Sequence, residues 1–364
     1  MTFTSSNDLK ALVEKTLPEN YQKEIKRYKR VINVLTTDPE PKVGQTPKEV
    51  IWTKNKAKLY RYQPSKVKTN KVPILMIYAL INKPYILDLT PGSSLIEYLT
   101  DRGHDVYLLD WGTPGYEDRQ MKLDNYVMDY IPRAVKKVLR TSNADEISLL
   151  GYCIGGTLTA MFAALHPNLP IRNIIFLTTP FDFSNAGLYT KWVDERYFQL
   201  DQMVDTLGNI PPETIDFGNK LLKPLVNYIG PYVTLADRAD NEDFIKNWSL
   251  MQKWVKDGVP FPGEAYRQWI GEFYQKNKLI KDEFYIRGQQ VKLSNIKANV
   301  LNIAADRDHI AIPEQTEKLM DIISSKDKTF KLIPAGHVSV SVGRSANKHT
   351  YPLVEGWVRE RSKQ

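Results

Sequence analysis

Short apolar runs that alternate with helical segments are the sequence feature that most constrains the fold of this chain. The apolar runs occupy residues 73–78, 105–110, 147–151, 173–178, 299–304 and 329–334. A continuous apolar run of this length is typical of a strand that is buried on both faces. Segments with helical periodicity lie between several of these runs, at 126–140, 155–165 and 314–323. The alternation predicts βαβ units and an α/β fold with a mainly parallel, doubly wound sheet.

The alternation is interrupted between the fourth and fifth apolar runs. Residues 181–292 hold four of the seven tryptophans and no clear series of strands. We therefore expect an N-terminal helical arm (1–50), an α/β core (51–180 and 293–364) and an inserted, mostly helical cap (181–292). An insertion at this point lies over the carboxyl ends of the strands, where open α/β sheets bind ligands. The alternative is an ordinary second domain that lies away from any site.

Composition and charge exclude several classes of protein. Hydrophobic residues make up 42% of the chain and charged residues 25%, as in an ordinary globular protein. No apolar run approaches the roughly 18–20 residues that cross a bilayer, and the N-terminus lacks the layout of a signal peptide, so we expect a cytoplasmic protein without a transmembrane segment. The formal charge is +8, but acidic residues are interleaved with the basic ones, which argues against a nucleic-acid partner. A single cysteine in 364 residues excludes an internal disulfide and a cysteine-rich metal site, and we expect no metal.

That cysteine lies in a glycine-rich turn, Gly151-Tyr152-Cys153-Ile154-Gly155-Gly156, between a predicted strand and a predicted helix. The pattern is the G-x-S-x-G nucleophile elbow with cysteine in the position of serine. The small residues allow the sharp strand-to-helix turn that exposes a nucleophile. The alternative is a small buried hydrophobe, which is what most free cysteines are.

Candidate partners for Cys153 follow two later strands, in the order nucleophile, acid, histidine that α/β-hydrolases use. Asp306 and Asp308 come after the run at 299–304, and spacing does not choose between them. His337 comes after the run at 329–334, whereas the environments of His104, His166 and His349 are typical of structural or solvated histidines. The chain is thus predicted to have an α/β-hydrolase fold with a Cys-Asp-His triad.

Backbone amides are the expected oxyanion donors in this fold. One is the amide of the residue after the nucleophile, here Ile154. The second comes from the loop after an earlier strand, and we favour the amide of Ile81 in the segment that follows the run at 73–78.

Several longer segments resemble the polyhydroxyalkanoate synthases. They include INKPYILDL, DVYLLDWGTPG, SLLGYCIGGT, PFPGEAYRQW, ADRDHI and PAGHVS, and the resemblance runs nearly from end to end. It is closest to the short catalytic subunits of the two-component types, above all the Bacillus-like class IV form, with class III next. The resemblance implies an enzyme that polymerises (R)-3-hydroxyacyl-CoA and releases CoA, through an acyl group bound to cysteine. It also assigns the nucleophile to Cys153, the acid to Asp308 and the base to His337.

The same resemblance implies the substrate, the partners and the location of the enzyme. The expected substrate is a short-chain thioester such as (R)-3-hydroxybutyryl-CoA. The expected partners are a second synthase subunit of the R type or E type, the surface of cytoplasmic polyhydroxyalkanoate granules, and a further copy of the chain in a homodimer or hetero-oligomer. No cofactor is expected, because CoA is part of the substrate and the product.

Two other functions remain open at this stage. A thioesterase or esterase would use the same triad and would give a free acid instead of a polymer. A non-catalytic scaffold that binds granules would not need Cys153.

Overall fold

A computed structural model describes residues 18–37, 40–64 and 70–362. The chain divides into two compact units, Met1–Lys42 with Lys223–Lys256, and Val43–Leu222 with Asp257–Gln364. Residues of the predicted cap contribute to both units. The predicted division into arm, core and cap therefore stays a prediction, and each unit is described by itself.

An eight-stranded sheet forms the centre of the larger unit. Its strands are β1 (Glu49–Lys54), β2 (Ala57–Tyr62), β3 (Ile74–Ile77), β4 (Val106–Asp110), β5 (Ile147–Tyr152), β6 (Ile171–Leu177), β7 (Asn299–Ala305) and β8 (Lys328–Ile333). Their spatial order is β1-β2-β4-β3-β5-β6-β7-β8. The neighbouring pairs from β4 to β8 are parallel, and the pairs β1–β2 and β2–β4 are antiparallel.

The central strands are buried because helices cover the sheet. Every residue of β3 and β5 is buried, as the apolar runs in the sequence predict. The edge hairpin of β1 and β2 was not predicted as strands. All six residues of β1 are exposed or half-buried, so its sequence, EVIWTK, lacks the continuous apolar run of a central strand.

The described residues form twelve α-helices of five residues or more. They are α1 (Glu19–Thr36), α2 (Leu95–Thr100), α3 (Ile131–Ser142), α4 (Ile154–Leu165), α5 (Leu188–Trp192), α6 (Leu200–Leu207), α7 (Pro212–Leu221), α8 (Gly230–Asp237), α9 (Glu242–Lys256), α10 (Gly263–Gln268), α11 (Pro313–Glu317) and α12 (Tyr351–Ser362). Short π-helical segments precede three of these helices, α3 at Tyr126–Tyr130, α8 at Leu225–Ile229 and α12 at Ala346–Thr350. A fourth follows α10 at Trp269–Gln275.

The smaller unit consists of α1, α8 and α9 with their connections. Arg27 on α1 donates a hydrogen bond to the carbonyl of Ala236 and forms an ion pair of 3.1 Å with Asp237 at the end of α8. Arg30 lies 2.8 Å from Asp240. Within this unit, the indole of Trp248 on α9 donates to the carbonyl of Pro231 at 3.1 Å.

Several large apolar side chains of the smaller unit are exposed. On α1 they are Tyr21, Tyr28, Ile32 and Leu35. None of the helices in the described residues is long and apolar enough to span a membrane.

Candidate active site

Cys153 lies at the turn between β5 and α4, where the chain leaves the carboxyl edge of the sheet. Its backbone has φ 51° and ψ −125°, a conformation that is unusual for a residue with a side chain. The Cys153 amide donates to the carbonyl of Leu177 at 2.9 Å, and the Cys153 carbonyl accepts from Gly156 at 2.8 Å. These bonds hold the strained turn and leave the thiol at the end of the strand.

Two glycines are required by close approach of the backbone at this turn. A Cβ atom at Gly155 would lie 2.2 Å from the carbonyl oxygen of Ile77 in β3. A Cβ atom at Gly151 would lie 2.3 Å from the Cα atom of Gly156. The glycines therefore let the turn pack against the neighbouring strand and the first turn of α4, as an elbow requires.

The structure brings Asp308 and His337 to Cys153. Asp308 follows β7, and its Oδ2 atom lies 2.7 Å from Nδ1 of His337, which follows β8. His337 also interacts electrostatically with Cys153, so its imidazole lies near the thiol. All three residues are less than a tenth exposed.

Backbone amides fix the carboxylate of Asp308. Its Oδ1 atom accepts hydrogen bonds from the amides of Ile310 at 2.8 Å and Ala311 at 3.0 Å. Its side chain is fully buried, whereas that of Asp306 is 40% exposed. Asp306 instead accepts from the amide of Ala335 at 3.0 Å and pairs with Arg307. The geometry therefore places Asp308 against His337 and gives Asp306 a role in holding the loop.

The charge of the site favours a protonated His337. Burial lowers the pKa of His337, but its interactions with Asp308 and Cys153 raise it more, so the pKa lies well above its usual value. His104 and His166 lie elsewhere. His104 is buried, and its Nε2 atom lies 3.4 Å from Oε1 of Glu355. The Nδ1 atom of His166 lies 2.9 Å from the carbonyl oxygen of Phe162.

Tyr152 contacts His337 and was not singled out in the sequence. Its hydroxyl donates to the carbonyl of His337 at 3.0 Å, and its ring stacks on Tyr78 with centroids 5.3 Å apart. Burial raises the pKa of Tyr152 well above its usual value, so the hydroxyl stays protonated as a donor. The only signal in the sequence is its position beside the cysteine in the elbow.

An apolar cavity of about 130 Å³ opens above Cys153. Ile81 and Ile154, the expected oxyanion residues, both line it with Cys153. The carbonyl of Ile81 accepts from the amide of Val259 at 3.1 Å, which fixes the backbone at that position.

The outer wall of the cavity is aromatic and was not predicted residue by residue. Tyr189, Tyr266, Trp269 and Tyr274 line it. Burial raises the pKa of Tyr266 to about 12 and that of Tyr274 well above its usual value. The tyrosines therefore act as neutral groups. No cluster of three or more metal-ligating side chains occurs among the described residues.

The fold and this geometry define the class of the protein. A family model described as the alpha/beta hydrolase fold matches residues 72–343, which confirms the predicted fold. Among solved structures, that of DcsB in complex with its substrate analogue has a TM-score of 0.56 at 15% identity and covers 87% of this chain and 100% of its own. A thermophilic esterase from Thermogutta terrifontis has a TM-score of 0.50 at 14% identity, covering 87% and 99%. At these identities the likeness shows the fold alone.

Sequence relatives define the family within that class. A second family model, for the N-terminus of poly-beta-hydroxybutyrate polymerase (PhaC), matches residues 18–99. The poly(3-hydroxyalkanoate) polymerase subunit PhaC of Thiocystis violacea is 37% identical over 321 residues, which cover 88% of this chain and 90% of that one. The same subunit from Synechocystis is 35% identical, covering 88% and 86%. The subunit from Haloferax mediterranei is 39% identical, covering 90% of this chain and 66% of its own length. The chain belongs to the PhaC family, as the resemblance predicted.

Proposed function

We propose that this protein polymerises (R)-3-hydroxyacyl-CoA into a polyester with release of CoA, and that Cys153 carries the acyl group. The observation that carries the proposal is the hydrogen bond between His337 and Asp308 beside Cys153, beneath an apolar cavity, in a member of the PhaC family. The cavity of about 130 Å³ supports a short-chain substrate such as (R)-3-hydroxybutyryl-CoA.

In the first step the acyl group moves from one sulfur to another. The raised pKa of His337 keeps the proton of Cys153 on the His337 nitrogen that does not face Asp308, and the Cys153 sulfur attacks the carbonyl carbon of the substrate thioester. The carbon–sulfur bond to CoA then breaks, and CoA leaves as a thiol with the proton from His337. Asp308 holds the imidazole in the required tautomer and stabilises its charged form.

In the second step the 3-hydroxyl of another unit attacks the acyl group on Cys153. The carbon–oxygen ester bond forms, the carbon–sulfur bond to Cys153 breaks, and the hydroxyl proton is transferred so that Cys153 regains its thiol. His337, or Asp308 acting more directly, accepts the hydroxyl proton. The amides of Ile154 and Ile81 would stabilise the oxyanion in both steps, each by about 3–4 kcal/mol. No cofactor is needed, because CoA belongs to the substrate and product.

Water must be kept from the acyl-enzyme if a polymer is to form. The aromatic wall supports this role, because Tyr189, Trp269 and Tyr274 surround the space above Cys153 with little polar surface. This apolar enclosure favours a polymerase over a thioesterase or esterase with the same triad.

We further propose that the chain acts with a second synthase subunit of the R or E type at the surface of cytoplasmic granules, in a homodimer or hetero-oligomer. The apolar residues Tyr21, Ile25, Tyr28, Ile32 and Leu35 repeat along α1 at alternating spacings of four and three. This heptad spacing supports a helical partner for α1. Size-exclusion chromatography with and without the second subunit tests this, using Ile32→Glu as the variant. If Ile32→Glu assembles with the second subunit as the wild type does, the result would contradict a role for these apolar residues of α1.

Assays of the purified chain with (R)-3-hydroxybutyryl-CoA, alone and with each second subunit, test the catalytic proposal. We expect CoA release and polymer with the wild type, no CoA release with Cys153→Ala or His337→Gln, and little with Cys153→Ser. Free 3-hydroxybutyrate as the main product would indicate a thioesterase instead. Full biological effect with Cys153→Ala would indicate a non-catalytic scaffold.

A further inference from the structure

Gly218 lies in a helix that lines the cavity above Cys153. The helix is α7, and Thr214, Ile215, Gly218 and Asn219 all contact the cavity. The spacing of these residues places them on one face of the helix. None of the residues of α7 is buried, so packing against other elements does not dictate its sequence closely.

The backbone does not explain a glycine at this position. Gly218 is within the helix and is not among the residues with positive φ. A glycine inside a helix costs roughly 0.5–1 kcal/mol relative to alanine. Alanine would therefore be expected here if the backbone alone decided.

Close packing does not explain it either. A Cβ atom at Gly218 would meet nothing within 4 Å, whereas one at Gly155 would meet the backbone of β3 at 2.2 Å. The missing side chain at Gly218 thus leaves space unfilled, and Gly218 is one of the residues that bound the cavity.

We propose that Gly218 determines the size of the acyl group that the enzyme accepts, by leaving room for the substituent on carbon 3 of the hydroxyacyl unit. This inference rests on the proposed function. A leucine at this position would occupy a large part of a cavity of about 130 Å³. Substrates with a longer substituent would then be excluded, while the triad and the elbow glycines would be unchanged.

Kinetics with two chain lengths test the proposal. The variants are Gly218→Ala and Gly218→Leu, assayed for CoA release from (R)-3-hydroxybutyryl-CoA and (R)-3-hydroxyhexanoyl-CoA. We expect the ratio of kcat/KM for the longer to the shorter substrate to fall by at least about tenfold in Gly218→Leu and by less in Gly218→Ala. If the wild type uses only the four-carbon substrate, the ratio is measured between 3-hydroxybutyryl-CoA and 3-hydroxypropionyl-CoA.

Gly356 offers a matched control. It lies within α12, a Cβ atom there also meets nothing within 4 Å, and it does not line the cavity. Gly356→Ala and Gly356→Leu should leave the substrate ratio unchanged. Because a ratio of substrates does not depend on the amount of folded enzyme, partial unfolding does not imitate the effect.

The outcomes separate the two proposals. Substrate ratios within twofold of the wild type in both Gly218 variants would overturn the role of Gly218. Should Gly218→Leu fail to fold, an unchanged ratio in Gly218→Ala would overturn it as well. No CoA release by the wild type from any hydroxyacyl-CoA, with or without the second subunit, would instead overturn the proposed function.

Discussion

The hydroxyl of Tyr152 donates a hydrogen bond of 3.0 Å to the backbone carbonyl of His337. The residue that precedes Cys153 therefore anchors the loop that carries His337, although the two bonded residues are 185 positions apart in the sequence. Both residues are buried, so the bond is shielded from water. The position of His337 relative to Cys153 is thus held through the backbone of its loop.

Removal of that hydroxyl should impair both catalysis and stability. Tyr152→Phe leaves a buried carbonyl without its donor, which we expect to lower the free energy of unfolding by about 1–3 kcal/mol. The freed loop should also lower kcat by roughly tenfold, because small misplacements of a base are costly. Urea unfolding and CoA release measure the two effects.

Tyr351→Phe provides the control for this prediction. Its hydroxyl donates a comparable buried bond of 2.7 Å to the carbonyl of Ser341. We expect a similar loss of stability with kcat within about twofold of the wild type. Equal kcat in Tyr152→Phe and Tyr351→Phe would argue against an anchoring role for Tyr152.

The two aspartates after β7 should respond differently to loss of charge. Asp308→Asn removes the acceptor that orients His337, and we expect kcat to fall by about two to four orders of magnitude. Asp306→Asn alters an exposed ion pair with Arg307 and should keep kcat within severalfold of the wild type. Steady-state CoA release measures kcat for both variants. A larger loss of kcat in Asp306→Asn than in Asp308→Asn would indicate that Asp306 is the acid of the triad.

The contribution of Asp308 to stability should depend on pH. Asp308 and Cys153 raise the pKa of His337 against the lowering by burial. A raised folded-state pKa adds stability that is fully present below the unfolded value near 6.5 and is lost as the pH rises through the folded value. The difference in unfolding free energy between the wild type and Asp308→Asn should therefore be largest at about pH 6 and shrink on the alkaline side. Urea titrations from about pH 6 to 10 measure it, and a difference that grows with pH would contradict the sign.

The hydrogen bond between Tyr189 and Asn219 should help to exclude water. It joins α5 to α7 above Cys153, and none of the residues of either helix is buried. We expect Tyr189→Phe to loosen this contact and to raise the fraction of acyl groups that end as free 3-hydroxy acid several-fold. Chromatography of the products measures that fraction. Tyr197→Phe, at a position that is 76% exposed, is the control and should match the wild type.

The sequence was most informative where one physical requirement dominated each position. The central strands β3 to β7 were recognisable because burial on both faces demands a continuous apolar run. The elbow was recognisable because only glycine tolerates approaches of 2.2–2.3 Å to backbone atoms. The order of Cys153, the acidic cluster and His337 then followed from the topology.

Other features depended on contacts that no local pattern records. The hairpin of β1 and β2 has mixed polarity because it lies at an edge of the sheet. The choice of Asp308 over Asp306 rested on resemblance, and the difference in burial and amide contacts emerges only when β7 and β8 are side by side. Tyr189 and Gly218 lie far from Cys153 in the sequence, and no pattern in the adjacent residues indicates that they line the same cavity.

The small volume above the thiol has a consequence for product length. Under the proposed function, a space of about 130 Å³ would hold only the newest end of a long polyester, so the size of this space would not set the length of the finished chain. The molecular weight of the polymer would instead depend on the ratio of two rates. One is the rate at which the next unit is added, and the other is the rate at which the bond between the chain and the Cys153 sulfur is cleaved. Changes that admit water would accordingly shorten the polymer, even where they leave the speed of each addition intact.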